Sequence, residues 1–179
     1  MSDADVLESY IRAVPNFPKP GVSYKDITPL IEDGPAMRSA VDALAKAIEG
    51  IDYDRIVSAE ARGFVFGTAL AYRARKGLVL ARKPGKLPRE TISASYDLEY
   101  GTDSLETHAD SIPPGTRVLV ADDLLATGGT ARAMCQLVES AGGIVAGCAF
   151  IIELGYLNGR NLLAPYNVFS LITYNDPSQ

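Results

Sequence analysis

Short continuous runs of hydrophobic residues recur along the chain, separated by longer stretches in which apolar residues recur every three or four positions. The runs are rich in β-branched residues, which favours buried strands. The predicted strands are 56–59, 78–81, 118–121, 144–152 and 168–174. The helical spacing predicts helices over about 3–14, 34–48, 63–76 and 129–141. Strands that alternate with helices are typical of an α/β domain with a mainly parallel central sheet flanked by helices.

One region, residues 83–114, interrupts this alternation. It is rich in Pro, Gly, Ser, Tyr and charged residues, and its hydrophobic periodicity is weak. Insertions of this length are uncommon in a compact domain and often serve as lids or binding loops. The alternative is a surface hairpin without a function. We expect a functional loop.

The length of 179 residues predicts one domain, 1–179. The formal net charge is −5, so we expect no nucleic-acid partner, and any bound phosphate must be held by local geometry. No stretch is apolar enough to cross a bilayer, and the acidic N-terminus lacks the basic segment of a secretory signal. We therefore expect a cytoplasmic location and no membrane partner. Cys135 and Cys148 are interpreted as buried, reduced thiols.

The segment VLVADDLLATGGTAR, residues 118–132, combines a predicted strand, two acids and a glycine-rich turn. The acids are Asp122 and Asp123, and the turn consists of Ala126, Thr127, Gly128, Gly129 and Thr130. Glycine lets backbone N–H groups approach an anion closely, and the helix that follows adds the positive end of its dipole. The pattern therefore predicts a phosphate pocket. A Walker-type lysine and a G-x-G-x-x-G fingerprint are both missing, and the remaining alternative is a tight turn without a ligand.

Together, the strand, the paired acids and the turn resemble the sugar-diphosphate motif of type I phosphoribosyltransferases. The resemblance implies the fold of that family, with a small N-terminal hood at about 1–34 and a mobile catalytic loop at about 91–110. It also implies that Asp122 and Asp123 bind the ribose hydroxyls, and that residues 126–130 bind the 5′-phosphate. The twin acids make this motif more specific than a glycine pair alone.

Four further segments narrow the resemblance to the adenine phosphoribosyltransferases. These segments are NFPKPGVSYKD (16–26), EARGFVFG (60–67), RKPGKLP (82–88) and YDLEYG (96–101). The resemblance implies a purine salvage reaction in which adenine and 5-phosphoribosyl 1-diphosphate give AMP and diphosphate. It also implies a homodimer, and Mg²⁺ that is carried by the diphosphate rather than by protein side chains.

The resemblance assigns further residues to the two ends of the substrate. The diphosphate-binding residues are Glu60, Ala61, Arg62, Arg82, Lys83 and Lys86, with a cis peptide between the first two. The adenine-binding residues are Ser23 and Lys25, through their main chain, Tyr24, which stacks on the purine, and Leu154, which packs on its other face. The expected catalytic residues are Arg62 and Glu99, the latter for proton transfer in the mobile loop. Without the resemblance, the basic residues and Glu99 would be interpreted as solvated surface groups.

The distribution of lysines gives an independent indication of the base. Enzymes that use 6-oxopurines are expected to donate to O6 from a lysine after the phosphate turn, and no lysine follows Lys86 in this chain. This favours a 6-amino purine. The alternatives are the same reaction with another base, and a nucleic-acid-binding regulator, which the acidic charge disfavours. His108, the single histidine, is expected to be peripheral.

Overall fold

The computed structural model describes residues 3–97 and 102–177. In chain order the strands are β1 (Arg12–Pro15), β2 (Ser23–Asp26), β3 (Arg55–Ala59), β4 (Gly77–Ala81), β5 (Thr91–Asp97), β6 (Thr102–His108), β7 (Arg117–Leu125), β8 (Ile144–Leu154) and β9 (Val168–Tyr174). The helices are α1 (Asp3–Glu8), α2 (Thr28–Glu32), α3 (Gly34–Ala47), α4 (Gly63–Ala74) and α5 (Gly129–Ser140). Two 3₁₀ turns, Gly155–Leu157 and Gly159–Leu163, connect β8 to β9.

The central sheet has the strand order β4-β3-β7-β8-β9, and every pair of neighbours is parallel. Successive residues of a strand point to opposite faces. Ile56 and Leu119 therefore belong to a core cluster that includes residues of α3 and α4, whereas Val57 and Val120 belong to a second cluster that includes residues of α5. The expected α/β architecture, with both faces of a parallel sheet covered, is confirmed.

Helix α3 begins where its local sequence predicts. The side chain of Asp33 accepts a hydrogen bond from the backbone N–H of Ala36 at 2.8 Å, and a proline lies in the first turn. Val41 and Leu44 then face the core at helical spacing. The short helix α2, which precedes α3, has no counterpart among the predicted elements.

The first helix is shorter than predicted. The apolar spacing predicts a helix to residue 14, but α1 ends at Glu8 and the chain then forms β1. Strand β1 pairs with β2 in antiparallel register, with Val14 opposite Tyr24. A helix of this length is marginal in isolation, so strand pairing outweighs the helical periodicity. Both strands lie within residues 1–34, the segment predicted to be the hood.

Residues 83–114 contain a regular hairpin rather than an unstructured insertion. Strands β5 and β6 are antiparallel, and their cross-strand partners Ala94 and Leu105 are both buried in the core cluster that includes α5. Small and polar residues occupy most other positions, which explains the weak periodicity. The structure thus shows paired strands in this region, whereas its function, as a mobile loop or as none, stays untested.

The two cysteines are buried, as expected. Cys135 lies on α5 and Cys148 on β8, with their sulfur atoms 3.8 Å apart and both thiols free. Across residues 3–97 and 102–177, no helix combines the length and the apolar character that a membrane span requires.

Candidate active site

A cavity of about 420 Å³ opens at the sheet edge where β3 and β7 end. Because the two strands are parallel neighbours, the turns that follow them meet at one edge. The cavity is lined from the β3 side by Ala59, Glu60, Ala61, Arg62 and Gly63, and from the β7 side by residues 122–131. The fold thus brings together the predicted phosphate turn, the paired acids and the first part of the predicted diphosphate site.

Strand β7 continues past its predicted end. It runs to Leu125 instead of ending at Ala121, so that Asp122 and Asp123 lie within the strand. Polar residues argue against a buried strand, and the prediction therefore stopped at the first acid. The backbone of both acids therefore belongs to the sheet rather than to a loop.

The predicted phosphate turn contains two adjacent buried glycines just before and at the start of α5. Gly128 has φ = +90°, a left-handed conformation that favours glycine, and Gly129 begins α5. The N–H of Arg132 donates to the carbonyl of Gly128 at 2.8 Å, closing the first helical turn. The N–H groups just before it have no intrahelical acceptor, so they are available to an anion.

Asp122 and Asp123 occupy different environments. Asp122 is buried beneath the first turn, and its Oδ1 accepts a hydrogen bond from the N–H of Asp123 at 2.9 Å. Burial raises the pKa of Asp122 well above its usual range, and the neighbouring charge of Asp123 raises it further. Asp123 accepts a hydrogen bond from Nε of Arg62 at 2.5 Å.

Arg62 connects the two turns to the hood. Besides its bond to Asp123, it donates from Nη1 to the hydroxyl of Tyr24, and its guanidinium carbon lies 5.6 Å from the centre of the Tyr24 ring. Tyr24 lies on β2, so this side chain joins the hood to the carboxylate at the cavity. The peptide between Glu60 and Ala61, just before Arg62, is cis, as the resemblance implies.

The carboxylate of Glu60 turns towards the loop after β4. It accepts hydrogen bonds from the side chain of Arg82 at 2.9 and 3.1 Å, and from the backbone N–H of Lys83 at 2.6 Å, while Nζ of Lys86 lies 3.0 Å away. Burial alone would raise the pKa of this carboxyl group, but these hydrogen bonds outweigh burial and lower the pKa to about 2. Nζ of Lys83 donates to Asp103 and, at 3.2 Å, to the hydroxyl of Tyr96. The basic residues therefore lie beside the turn that follows β3, and each pairs with an acidic side chain.

The family follows from sequence comparison. A model of the phosphoribosyl transferase domain family matches residues 30–176. Over 174 residues, the chain is 75% identical to the adenine phosphoribosyltransferase of Rubrobacter xylanophilus, covering 97% of this chain and 94% of the relative. The chain belongs to the adenine phosphoribosyltransferase family.

Solved structures of adenine phosphoribosyltransferases match the whole fold. The enzyme of Thermoanaerobacter pseudethanolicus has a TM-score of 0.94 and 52% identity, covering 96% of this chain and 99% of that one. The enzyme of Saccharomyces cerevisiae, solved with D-2,5-dideoxy-2,5-imino-altritol 1,6-bisphosphate and adenine, has a TM-score of 0.89 and 38% identity, covering 95% and 98%. These comparisons confirm the type I phosphoribosyltransferase fold and the enzyme class.

The residues predicted to bind adenine lie further from this cavity. Ser23, Tyr24 and Lys25 follow one another on β2, and only Tyr24 is joined to the cavity, through Arg62. The Lys25 side chain is buried, and its Nζ lies 4.5 Å from the centre of the Tyr174 ring. Leu154 is the last residue of β8 and is partly buried against the core. None of the residues lining the cavity, within the part of the chain described, comes from these positions.

Two further predictions concern Glu99 and His108. Glu99, the candidate proton-transfer residue of adenine phosphoribosyltransferases, lies outside the described residues. His108 ends β6 opposite Thr91, at the base of the hairpin, and does not line the cavity. Its position at the base of the hairpin agrees with a peripheral role, which stays a prediction.

Sequence reasoning missed two close backbone approaches at the site. A Cβ atom on Gly63 would lie 2.4 Å from Oδ1 of Asp122, and a Cβ atom on Gly159 would lie 2.1 Å from the carbonyl oxygen of Ala126. Both residues are glycines because no larger side chain fits. The first of the two glycines in EARGFVFG was a possible signal for the first contact, whereas Gly159 stands in no recognised motif.

Proposed function

We propose that this chain transfers the phosphoribosyl group of 5-phosphoribosyl 1-diphosphate to adenine, forming AMP and diphosphate. The observation that carries the proposal is a cavity between the β3 and β7 turns whose lining includes the predicted phosphate turn, a pair of carboxylates and an arginine. The names of the relatives agree with this reaction, and the S. cerevisiae structure was solved with adenine.

The phosphorylated ribose would occupy the β7 side of the cavity. The N–H groups of residues 126–130 would bind the 5′-phosphate, with added hydroxyl donors from Thr127 and Thr130. Asp122 and Asp123 would accept hydrogen bonds from the 2′- and 3′-hydroxyls. Burial and the neighbouring charge of Asp123 raise the pKa of Asp122, and this limits repulsion between the two carboxyl groups.

Charge develops at the other end of the substrate during transfer. Diphosphate departs with increasing negative charge while the anomeric carbon becomes cationic, so preorganised donors accelerate the step. The backbone of Glu60 and Ala61, together with Arg62, is placed to meet that charge. Arg82, Lys83 and Lys86 form a second group of cations beside the same turn, and the Glu60 carboxylate holds two of them there.

The residues of the site fit Mg²⁺ that binds together with the diphosphate. In the described residues, no group of three or more His, Cys, Asp or Glu side chains is arranged to hold an ion, whereas Asp122 and Asp123 offer oxygen atoms at the cavity wall. This donor set suits Mg²⁺ that keeps most of its ligands as water and substrate oxygens. When bound, the ion would neutralise charge on the leaving diphosphate.

At the base, we propose that the main chain of Ser23 accepts from the 6-amino group of adenine and that of Lys25 donates to N1. Tyr24 would stack on the purine and Leu154 would pack on its other face. Glu99 would handle the proton on the purine, under a lid formed by residues of about 91–110, which would exclude water from the activated sugar. We further propose a cytoplasmic homodimer, as the resemblance implies.

The test is a substrate comparison with the purified chain. We expect AMP and diphosphate from adenine, 5-phosphoribosyl 1-diphosphate and Mg²⁺, with a higher kcat/KM for adenine than for hypoxanthine, guanine or xanthine. Replacement of Asp123 by Asn is the test variant for the ribose site, because it removes a carboxylate at the cavity without changing side-chain volume. A higher kcat/KM for hypoxanthine would contradict the assignment of the base, and an unchanged rate for Asp123→Asn would remove the ribose role of Asp123.

A further inference from the structure

An ion pair behind the phosphate turn is not used by the proposed reaction. Glu153, near the end of β8, is 5% exposed, and its carboxylate receives Nε and Nη2 of Arg160 at 2.9 and 2.5 Å. Ser170 on β9 donates to the same carboxylate at 2.5 Å, and Nη1 of Arg160 donates to the carbonyl of Val168 at 2.8 Å. Arg160 thus fastens the 3₁₀ turn that begins at Gly159 to two strands of the central sheet.

The residue before Arg160 lies directly against the phosphate turn. Besides its 2.1 Å approach to the Ala126 oxygen, a Cβ atom on Gly159 would lie 2.8 Å from the nitrogen of Gly128. In the reverse direction, a Cβ atom on Gly128 would lie 2.5 Å from the carbonyl oxygen of Gly159. The two backbones therefore pack without any intervening side chain, and a shift of one must move the other.

The residue after Glu153 is Leu154, which the proposed function places against the adenine. The short segment 154–159 thus extends from the proposed base site to the back of the phosphate turn. Its two ends are held by the residues of the ion pair, Glu153 before it and Arg160 after it. The mutual hydrogen bonds lower the pKa of the Glu153 carboxyl and raise that of the Arg160 guanidinium, which indicates that both groups are charged.

We propose that Glu153 and Arg160 are positioning residues for the 5′-phosphate, acting through Gly159 on the backbone of the phosphate turn. The proposal rests on the proposed function, because it assumes that the phosphate of the substrate binds at this turn. It assigns to the pair neither a contact with substrate nor a part in the chemistry.

The position of the pair predicts a specific kinetic effect. Because the pair acts on the turn that would bind the unreactive 5′-phosphate, a displaced turn should weaken substrate binding and raise KM for 5-phosphoribosyl 1-diphosphate more than it lowers kcat. Small misplacements in an active site reduce kcat/KM by up to about a hundredfold. A pair that only stabilised the fold would lower the melting temperature without this separation of KM from kcat.

The experiment compares Arg160→Lys with the wild type. Lysine keeps the charge but cannot make the two parallel hydrogen bonds of the guanidinium. We expect KM for 5-phosphoribosyl 1-diphosphate and the calorimetric Kd for ribose 5-phosphate to rise together, by about tenfold to a hundredfold. KM for adenine should stay close to that of the wild type. The matched control is Arg73→Lys, since Arg73 also pairs with an acid, Asp42, but on the outer surface of α3 and α4.

A second variant guards against misfolding. Glu153→Gln with Arg160→Gln removes both charges, so no unpaired charge is left buried, and it should give the same rise in Kd. A folded variant of either kind that keeps the wild-type Kd for ribose 5-phosphate would overturn the proposal, as would a fall in kcat with unchanged KM. If the wild type did not turn over adenine, the proposed function would fail, whereas the ribose 5-phosphate titrations would still test the pair.

Discussion

Replacement of Gly63 by Ala should damage the ribose site through one added methyl group. The new Cβ would lie 2.4 Å from Oδ1 of Asp122, about 1.0 Å short of the 3.4 Å at which ordinary contact begins. Asp122 is part of a β-ladder and is buried, so it has little room to move away. Forcing an extra methyl group into a packed site typically costs about 1–3 kcal/mol of folding free energy.

The effect on catalysis should be similar in size to the effect on stability. A displacement of about 1 Å at the carboxylate corresponds to a loss of about a hundredfold in kcat/KM, or about 2.7 kcal/mol in transition-state stabilisation. We expect this loss in kcat/KM for 5-phosphoribosyl 1-diphosphate, together with a fall of several degrees in the melting temperature measured by circular dichroism.

Gly77→Ala is the matched control. Gly77 begins β4 without a positive φ, and a Cβ atom there would lie 3.9 Å from Cγ of Arg55, which is an ordinary contact. This variant should keep wild-type kinetics. If Gly63→Ala were folded and its kcat/KM equalled that of the wild type, the close approach of Gly63 to Asp122 would have no bearing on the site, and the reasoning would be refuted.

Three other predictions follow from the site. The pKa of Glu60 is about 2 in the folded protein, below its ordinary value of 4.5, so its ion pairs stabilise the fold above about pH 4.5 and this stabilisation is lost as the pH falls towards 2. The difference in melting temperature between wild type and Glu60→Gln should therefore shrink over that range. A constant difference would contradict this prediction. Tyr24→Phe removes the hydroxyl that accepts from Arg62 but keeps the ring, so KM for adenine should change much less than in Tyr24→Ala; equal effects would argue against stacking. Glu99→Gln should lower kcat more than adenine affinity, and a loss confined to KM would make Glu99 a positioning group.

Local signals in the sequence predicted those elements whose ends carry their own stabilising groups. Helix α3 is capped by Asp33 and begins with a proline, so a few neighbouring residues determine where it starts. Helix α5 has no side-chain cap, but its start is also determined locally, because the left-handed Gly128 immediately precedes it. In both cases the information lies within one turn of the helix.

Elements determined by distant partners were predicted less well. Residues 12–15 have an apolar spacing that suits a helix, and only their pairing with β2 makes them a strand. The sequences of β5 and β6 show little alternation of apolar and polar residues, because Thr, Ser and Asp fill many positions. The burial of Ala94 and Leu105 depends on packing against the rest of the fold. Periodicity in the sequence does not report such pairing.

The site shows the same division. The phosphate turn was predicted because its glycines and acids are adjacent in sequence. The contacts of Arg62 were not, because its partners Tyr24 and Asp123 are 38 and 61 positions away. Gly159 similarly meets the turn only after the chain has passed through β8. Sequence motifs therefore predicted which groups form the candidate site, whereas the structure shows which of those groups lie together.

The bare backbone contact between Gly128 and Gly159 also limits how this scaffold can be redesigned. The proposed function places Leu154, the last residue of β8, against the base, so replacement of its side chain would test which base is accepted. The number of residues between Leu154 and Gly159 should not change, because an inserted or deleted residue would place a side chain against the backbone of the phosphate turn. Variant libraries of residues 154–159 should therefore change the residue types and keep the length of the segment.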